Sequence, residues 1–405
     1  MAARIICFSL LKIVVFLQLT STSSGLGKGI IRNRTGSLSA ELQRCFTPKS
    51  ILENVGRHIN ADTDPQGILS SLVLVRLSKQ LISIGNMRQT EDLVLNEGLP
   101  LQCLIPVVNT LSSSDWIDSP RSLDAAVEGT KASSTLLRCL PDIGCSYFEP
   151  LLEKWEYESN RISPNQLLPH QLSGLKWSFD CFKLNDPSCM LPSKIQDGYD
   201  GLNLPFRIRP AFLDSIDGLS LDSLVGQVDF KVDDIRTNSN QVVKERRKTA
   251  WEGDLSVGPF FYSGKSMERQ QWSPLVLDIR DRLHASTGYY YDGCLLNLYP
   301  DGDSGMRYHI DPDQGTLWDY ETAVVSIGAT RKFAFREITK KYDNHNGNDK
   351  RINVSPPHVF TLMHGDVTEM FSDCQERFQH TVKTSEGKVD TAARASLVFK
   401  KSLTT

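Results

Sequence analysis

The chain of 405 residues has no Cys-x-x-Cys pair among its nine cysteines, which excludes a zinc ribbon built on that spacing. An odd number of thiols closes no disulfide framework, so reduced cysteines in an intracellular compartment are the simpler expectation. Nor is there a strong excess of charge: a net charge of −3 excludes a uniformly basic coat and leaves any nucleic-acid contact to a local patch. The apolar run Ile5 to Leu19 is short and broken by Lys12, so no stable membrane span is expected. Acidic residues are missing from the first 40 positions, which carry Arg4, Lys12, Lys28, Arg32 and Arg34 among many Ser and Thr. A leader of that kind over 1–40 fits an organellar transit peptide, mitochondrial or plastid. A secretory signal is the alternative, with nucleus or cytoplasm if the leader is not used. The whole, 40% hydrophobic and 23% charged, has the composition of an ordinary soluble globular protein long enough for two or more domains.

Periodicity divides the chain beyond this leader. Over 46–158 the pattern is helical: Leu69, Val73, Leu77 and Leu81 recur every fourth residue behind Asp64-Pro65, and Phe148, Leu151, Leu152 and Trp155 share a second stripe. A plain helical domain is expected there, with the segment 111–122 as a loop and with RNA or protein as the kind of partner such a surface binds. Residues 159–205, rich in Pro, Asp, Asn and Gly, read as a linker. From 206 to 405 short alternating runs dominate. Ser273-Pro274 opens one helix ending near Gly288, and eight strands are predicted near 291–299, 306–311, 322–327, 331–338, 357–363, 367–371, 377–383 and 393–400. The fold class is therefore α+β, a double-sheet jelly roll preceded by a mostly helical region.

The chemistry centres on CLLNLYPDGDSGMRYHIDPDQ (294–314). Alternation puts Asn297 and Tyr299 on the face opposite Leu296 and Leu298, and after a turn His309 and Asp311 share a face. Imidazole and carboxylate are two thirds of the triad that holds non-haem iron. The third ligand has to be a distant histidine, and His345, His358, His364 and His380 all qualify by position. In the tail, Arg394, Ser396, Val398 and Lys400 share one face, and two inward cations call for an anion.

Asn297-x-Tyr299, His309-x-Asp311-x-Asp313, VVSIGATRKFAF (324–335), His364-Gly365-Asp366, His380 and Arg394-x-Ser396-Leu397-x-Phe399-Lys400 occur in the order seen in AlkB-type 2-oxoglutarate- and Fe(II)-dependent dioxygenases, which roughly the last 180 residues resemble. The resemblance implies a double-stranded β-helix catalytic domain. It implies Fe(II) on His309, Asp311 and His380, and 2-oxoglutarate on Asn297, Tyr299, Arg394, Ser396 and Lys400, with O2 as the other cosubstrate. His364 is then a decoy at a hairpin turn. Lys400 replaces the usual Arg and Ser396 a frequent Asn; lysine pairs with a carboxylate only as a point charge.

The resemblance further implies oxidative removal of N-alkyl groups from nucleic-acid bases, in DNA or RNA, with release of an aldehyde, succinate and CO2. It places Asp313 near the substrate base. Arg246, Arg247 and Lys248 in VVKERRK weigh equally as phosphate contacts and as solvated surface. Trp251 and Tyr262, with Phe260 and Phe261, offer stacking surface, although such aromatics more often fill a core. Dioxygenation of a protein or small molecule, and a non-catalytic binder on the same scaffold, are the competing classes. The segment 234–241 holds no aromatic wedge, so single-stranded or unpaired nucleic acid is the expected form of substrate.

Overall fold

A computed structural model of the chain describes residues 38–45, 47–87, 99–140, 143–236, 241–262, 264–338, 355–385 and 392–403. All but the last three positions of the leader expected over 1–40 lie outside the described residues.

The first half is helical: α1 (Pro48–Asn54), α2 (Ile68–Met87), α3 (Leu104–Ser113), α4 (Pro120–Cys139), α5 (Glu149–Ser159), α6 (Pro169–Asn185) and α7 (Ser193–Asp200). The start of α2 is fixed by Asp64, whose carboxylate accepts from the Leu69 and Ser70 amides at 3.0 and 2.7 Å, satisfying donors that a helix N-terminus leaves open. Leu69, Val73, Leu77 and Leu81 are all buried in the helical core, as are Phe148, Leu151 and Trp155 of the second stripe. By length and composition the segment Ile68–Gly85 could cross a membrane; here α2 packs against α4 within that core.

Two sequence expectations change in this half. Within the segment 111–122 the loop is confined to 114–119, between the end of α3 and the start of α4, and it carries a core anchor. Trp116 is fully buried, donates its indole N–H to the Leu111 carbonyl at 2.9 Å and packs on Trp155 at 4.6 Å. The supposed linker 159–205 instead contains α6 and α7. Two of its prolines, Pro164 and Pro169, are helix starters: Pro169 occupies the first turn of α6, where its missing N–H costs nothing, and the Gln171 side chain accepts from the Leu168 amide at 2.8 Å. One face of α6 supplies Leu172, Leu175, Phe179 and Phe182 to the helical core. Its other face supplies Trp177 and Cys181 to a core lined by strands of the second half.

The second half is β1 (Phe206–Arg209), α8 (Leu221–Gln227), β2 (Asp234–Arg236), β3 (Val242–Lys244), β4 (Lys248–Gly253), β5 (Phe260–Tyr262), β6 (Lys265–Met267), α9 (Pro274–Thr287), β7 (Gly293–Tyr299), β8 (Met306–His309), β9 (Thr322–Gly328), β10 (Arg331–Glu337), β11 (His358–Leu362), β12 (Val367–Met370), α10 (Cys374–Arg377), β13 (Phe378–Val382) and β14 (Arg394–Lys400). They form an antiparallel six-stranded sheet, β1-β12-β9-β14-β7-β4, and an antiparallel four-stranded sheet, β11-β10-β13-β8, with hairpins β2-β3 and β5-β6 beside them. The chain is thus α+β.

Alternation decides the layering. Leu296, Leu298, Val325, Leu397 and Phe399 turn outward under α9, whose Val276, Ile279 and Leu283 cover them, and Gly288 ends that helix with φ +72°. On the opposite face Tyr299, Val324 and Met370 meet Phe333, Phe335, Phe360 and Phe378 of the smaller sheet. The helical half is fastened to this body by α6. Ser173 Oγ and His358 Nδ1 are 2.7 Å apart in a buried hydrogen bond, and Trp177 packs edge-on against Phe360 at 6.5 Å.

Candidate metal and cosubstrate site

Adjacent strands of the smaller sheet bring the ligands together. His309 near the end of β8 is the register partner of His380 on β13, and Asp311 follows His309 by two residues. The donor atoms of these three residues all lie within 4.8 Å of one another. Asp311 Oδ1 is 3.6 Å from His309 Nε2 and 3.5 Å from His380 Nε2.

His309 and Asp311 are held in ligating states. His309 Nδ1 donates to the Arg307 carbonyl at 2.9 Å, which fixes the tautomer and turns the Nε2 lone pair toward the cluster. Burial, and then the neighbouring His380, push the His309 pKa down to about 4, so the ring is neutral at pH 7. The Phe333 ring lies nearly parallel to His380, 12° apart with centroids at 5.7 Å. Burial alone would push the Asp311 carboxyl up; Lys400, His380 and His309 outweigh it and hold the group well below the usual carboxylate range. Lys400 Nζ donates to Asp311 Oδ2 at 2.7 Å, and the Asp311 amide donates to Gln375 Oε1 at 2.9 Å. Two imidazoles and one carboxylate suit Fe(II) and leave coordination positions for other ligands.

On β14 and its neighbours the register aligns Arg394 with Tyr299 and Ser396 with both Asn297 and Ser326. Arg394 is fully buried over the Tyr299 ring at 5.9 Å, and its Nη2 donates to Ser326 Oγ at 2.7 Å. Its Nε and Nη1 have no partner, and neither does buried Asn297 Oδ1. Burial, with Arg331 nearby, pulls the Arg394 pKa down to about 10. A buried cation with open donors is costly unless an anion completes it, and a carboxylate matches a planar guanidinium edge. The residues present therefore fit 2-oxoglutarate beside the metal cluster. Lys400 belongs to the metal side in this arrangement: its bonds go to Asp311 and, at 3.4 Å, to Gln314.

The other histidines are accounted for differently. His364 Nδ1 accepts from the Gly328 amide at 3.1 Å, and His358 is bonded to Ser173, while His345 lies outside the described residues.

The model of the 2OG-Fe(II) oxygenase superfamily matches residues 216–399. The DNA oxidative demethylase ALKBH2 of Bos taurus is 29% identical over 159 residues, 39% of this chain and 54% of that protein. The alpha-ketoglutarate-dependent dioxygenase alkB homolog 3 of Homo sapiens is 30% identical over 141 residues, 34% of this chain and 46% of that protein. An uncharacterized protein, R406, of Acanthamoeba polyphaga mimivirus is 30% identical over 150 residues, 37% of this chain and 70% of its own length. Its second half is a 2OG-Fe(II) oxygenase domain similar to the AlkB-type dioxygenases. It spans about half the length of the two named alkB relatives.

On the substrate side of this site the candidates separate. Trp251 is fully buried against Phe260 and Trp318, with its indole N–H on the Gly258 carbonyl at 3.0 Å, so it fills a core and stacks no base. Asp313 takes the left-handed conformation, φ +59°, and its carbonyl accepts from the Leu317 and Trp318 amides at 2.9 and 3.0 Å; it shapes a turn. Arg246 is exposed on a cavity of 640 Å³ that Arg307, Asp303 and Lys383 also line, and Lys248 is exposed.

Tyr262 and Arg247 are held by a network that sequence reading missed. Tyr262 Oη donates to Glu245, 2.9 Å from each carboxylate oxygen, and Arg247 lies over the Tyr262 ring at 5.5 Å while paired with Glu245 at 2.7 Å. Lys265 Nζ, buried, reaches Glu245 at 2.9 Å, Asp233 at 3.0 Å and Thr249 at 2.8 Å. Nothing in the spacing of Asp233, Glu245 and Lys265 announces this convergence. Ser326, a lone hydroxyl in the apolar run VVSIG, was the one missed residue with a visible signal.

Proposed function

We propose that this protein is an Fe(II)- and 2-oxoglutarate-dependent dioxygenase that removes N-alkyl groups from nucleic-acid bases, on a jelly roll formed by the two facing sheets. The observation that carries the reading is the fully buried Arg394 with two open donors, on the strand whose Lys400 grips the carboxylate of the His309, Asp311 and His380 cluster. The nucleic-acid substrate rests on ALKBH2, whose name is that of a DNA oxidative demethylase. Bound iron with 2-oxoglutarate and O2 would supply oxidation of the N-alkyl carbon, releasing aldehyde, succinate and CO2. The chain's own groups do the placing. His309 and His380 present Nε2 lone pairs, Lys400 keeps Asp311 ionised, and Arg394, Tyr299, Asn297 and Ser396 orient the far end of the cosubstrate away from water. Tyr262 and Arg247 are the proposed contacts for the base and its phosphate.

The substrate is single-stranded or unpaired. Strands β2 and β3 pair over 234–236 and 242–244, residues 237–240 between them lie outside the described residues, and the sequence 234–241 holds no aromatic. Opening a duplex costs a few kcal/mol per unstacked step, and the segment 234–241 offers no aromatic wedge to offset it. Purified protein with iron, 2-oxoglutarate and a methylated oligonucleotide tests both claims. Aldehyde release from the free strand should exceed that from the same strand annealed to its complement at matched salt. No aldehyde from any methylated oligonucleotide overturns the dealkylase reading. Faster duplex turnover overturns the strand preference and points to exposed Phe261 on the neighbouring β5-β6 hairpin as the wedge.

A further inference from the structure

Among the described residues the helical half contributes none of the metal-cluster donors, yet one of its side chains reaches the turn behind Ser326. Arg138, in the last turn of α4, donates Nη1 and Nη2 to Asp366 Oδ2 and Oδ1 at 2.9 and 2.7 Å. The pair is buried, with side-chain exposures of 8% and 0%. Asp366 stands in the turn between β11 and β12, directly behind Ser326. The Ser326 amide donates to the Asp366 carbonyl at 2.9 Å, and the Gly365 amide donates back to the Ser326 carbonyl at 2.9 Å. Ser326 Oγ is the acceptor for Arg394 Nη2. One residue therefore separates the interdomain ion pair from the guanidinium that fits the cosubstrate, and the Asp366 charge is felt at Arg394.

We propose that Arg138 is a positioning residue, contributed by the helical half, that neutralises Asp366 so that Arg394 stays free for the far carboxylate of 2-oxoglutarate. The proposal rests on the assignment of Arg394 as cosubstrate anchor. With Arg138 gone, a buried carboxylate keeps two backbone donors, Ala211 N–H at 2.8 Å and Met363 N–H at 2.8 Å, and loses its cation. Arg394, with two open donors, is a cation already within its field, so Asp366 then competes with the ligand for the same group. The helical half thereby tunes cosubstrate affinity through charge, with no contact to the ligand.

Calorimetric titration of the full chain with 2-oxoglutarate in the presence of Mn(II), without turnover, reads the effect. Arg138→Gln should raise Kd about fivefold or more, within the usual range of coupling between sites, while Arg138→Lys stays within about twofold of wild type. Ser173→Ala, at the same interface but away from Ser326, should leave Kd unchanged. Arg138→Gln combined with Asp366→Asn should recover wild-type Kd, because the competing charge is gone although the interdomain bond is still missing. An unchanged Kd in Arg138→Gln overturns the proposal, and so does a double variant as weak as the single, which would mark mere loosening. Should Arg138→Gln fail to fold, the double variant alone decides: wild-type affinity supports the proposal and weakened affinity refutes it. A wild-type chain that binds no 2-oxoglutarate overturns the cosubstrate assignment itself, and the role of Arg138 with it.

Discussion

The helical and β-rich halves bury polar groups in different ways. In α4 and α6 the buried side-chain atoms without partners are Ser133 Oγ, His170 Nδ1 and Trp177 Nε1, and burial pushes His170 toward its neutral form. In α5 a buried charge is closed: Glu158, fully buried, is paired with Lys154 at 2.8 Å and Arg161 at 3.0 Å. In the β half the open atoms include two nitrogens of a buried guanidinium, Asn297 Oδ1 and His380 Nδ1, on the strands that carry the metal cluster and the cosubstrate residues. A core whose charges are matched is a support, and a buried charge left unmatched beside a ligand cluster is a site.

Removing a ligand should break the contrast most completely. His380→Ala should lower succinate formation on the order of a hundredfold or more, beyond what loss of a supporting group costs, whereas His364→Ala keeps substantial activity. The reverse outcome would reassign the third ligand.

The Glu245–Lys265 pair is where the β half most resembles the closed charges of the helical half, and opening it should cost fold. Lys265→Met removes the cation that Glu245 shares with Asp233 and Thr249 and leaves Glu245 on Arg247 and Tyr262, a loss of about 1–3 kcal/mol in chemical unfolding. Adding Glu245→Gln should also weaken binding of a methylated oligonucleotide, read by anisotropy, because Tyr262 loses its charged acceptor. Unchanged binding would separate the network from the substrate.

Leu111→Ala, opposite Gly129 in the helical core, should cost about 2–5 kcal/mol of stability with no change in 2-oxoglutarate Kd. A changed Kd would show that core packing, and not only charge, connects the halves.

Arg394→Ala should raise the 2-oxoglutarate requirement at least about tenfold, as loss of charge-assisted bonds of about 1.5–3 kcal/mol each implies. The smallest effect belongs to Lys400→Arg, which keeps the cation on Asp311 and should change turnover by less than about threefold. A large loss there would mean that Asp311 and Gln314 require the compact ammonium.

Much of the β half is legible in the sequence because strands announce themselves by alternation. The strand predicted over 393–400 is Arg394–Lys400, the one over 322–327 is Thr322–Gly328, and the helix opened by Ser273-Pro274 runs Pro274–Thr287. The linker expectation fails because Pro and Asn break a helix only at some positions: Pro169 begins a helix that 17 residues sustain. Trp251 leaves the substrate side because an aromatic on a strand has two faces to choose from, and only packing chooses.

By itself the sequence determined the periodicities, the chemical types in the site and, through residues two apart on one strand face, the shared direction of His309 with Asp311 and of Arg394 with Ser396. Local backbone geometry is enough for that. Only the tertiary structure decided which histidine stands across from His309, that Lys400 serves Asp311, that Lys265 gathers Asp233, Glu245 and Thr249, and that Arg138 meets Asp366 across 228 positions. Those pairings depend on how strands register and how α4 and α6 dock, and a charge carries no mark in the sequence of the partner that burial will bring to it.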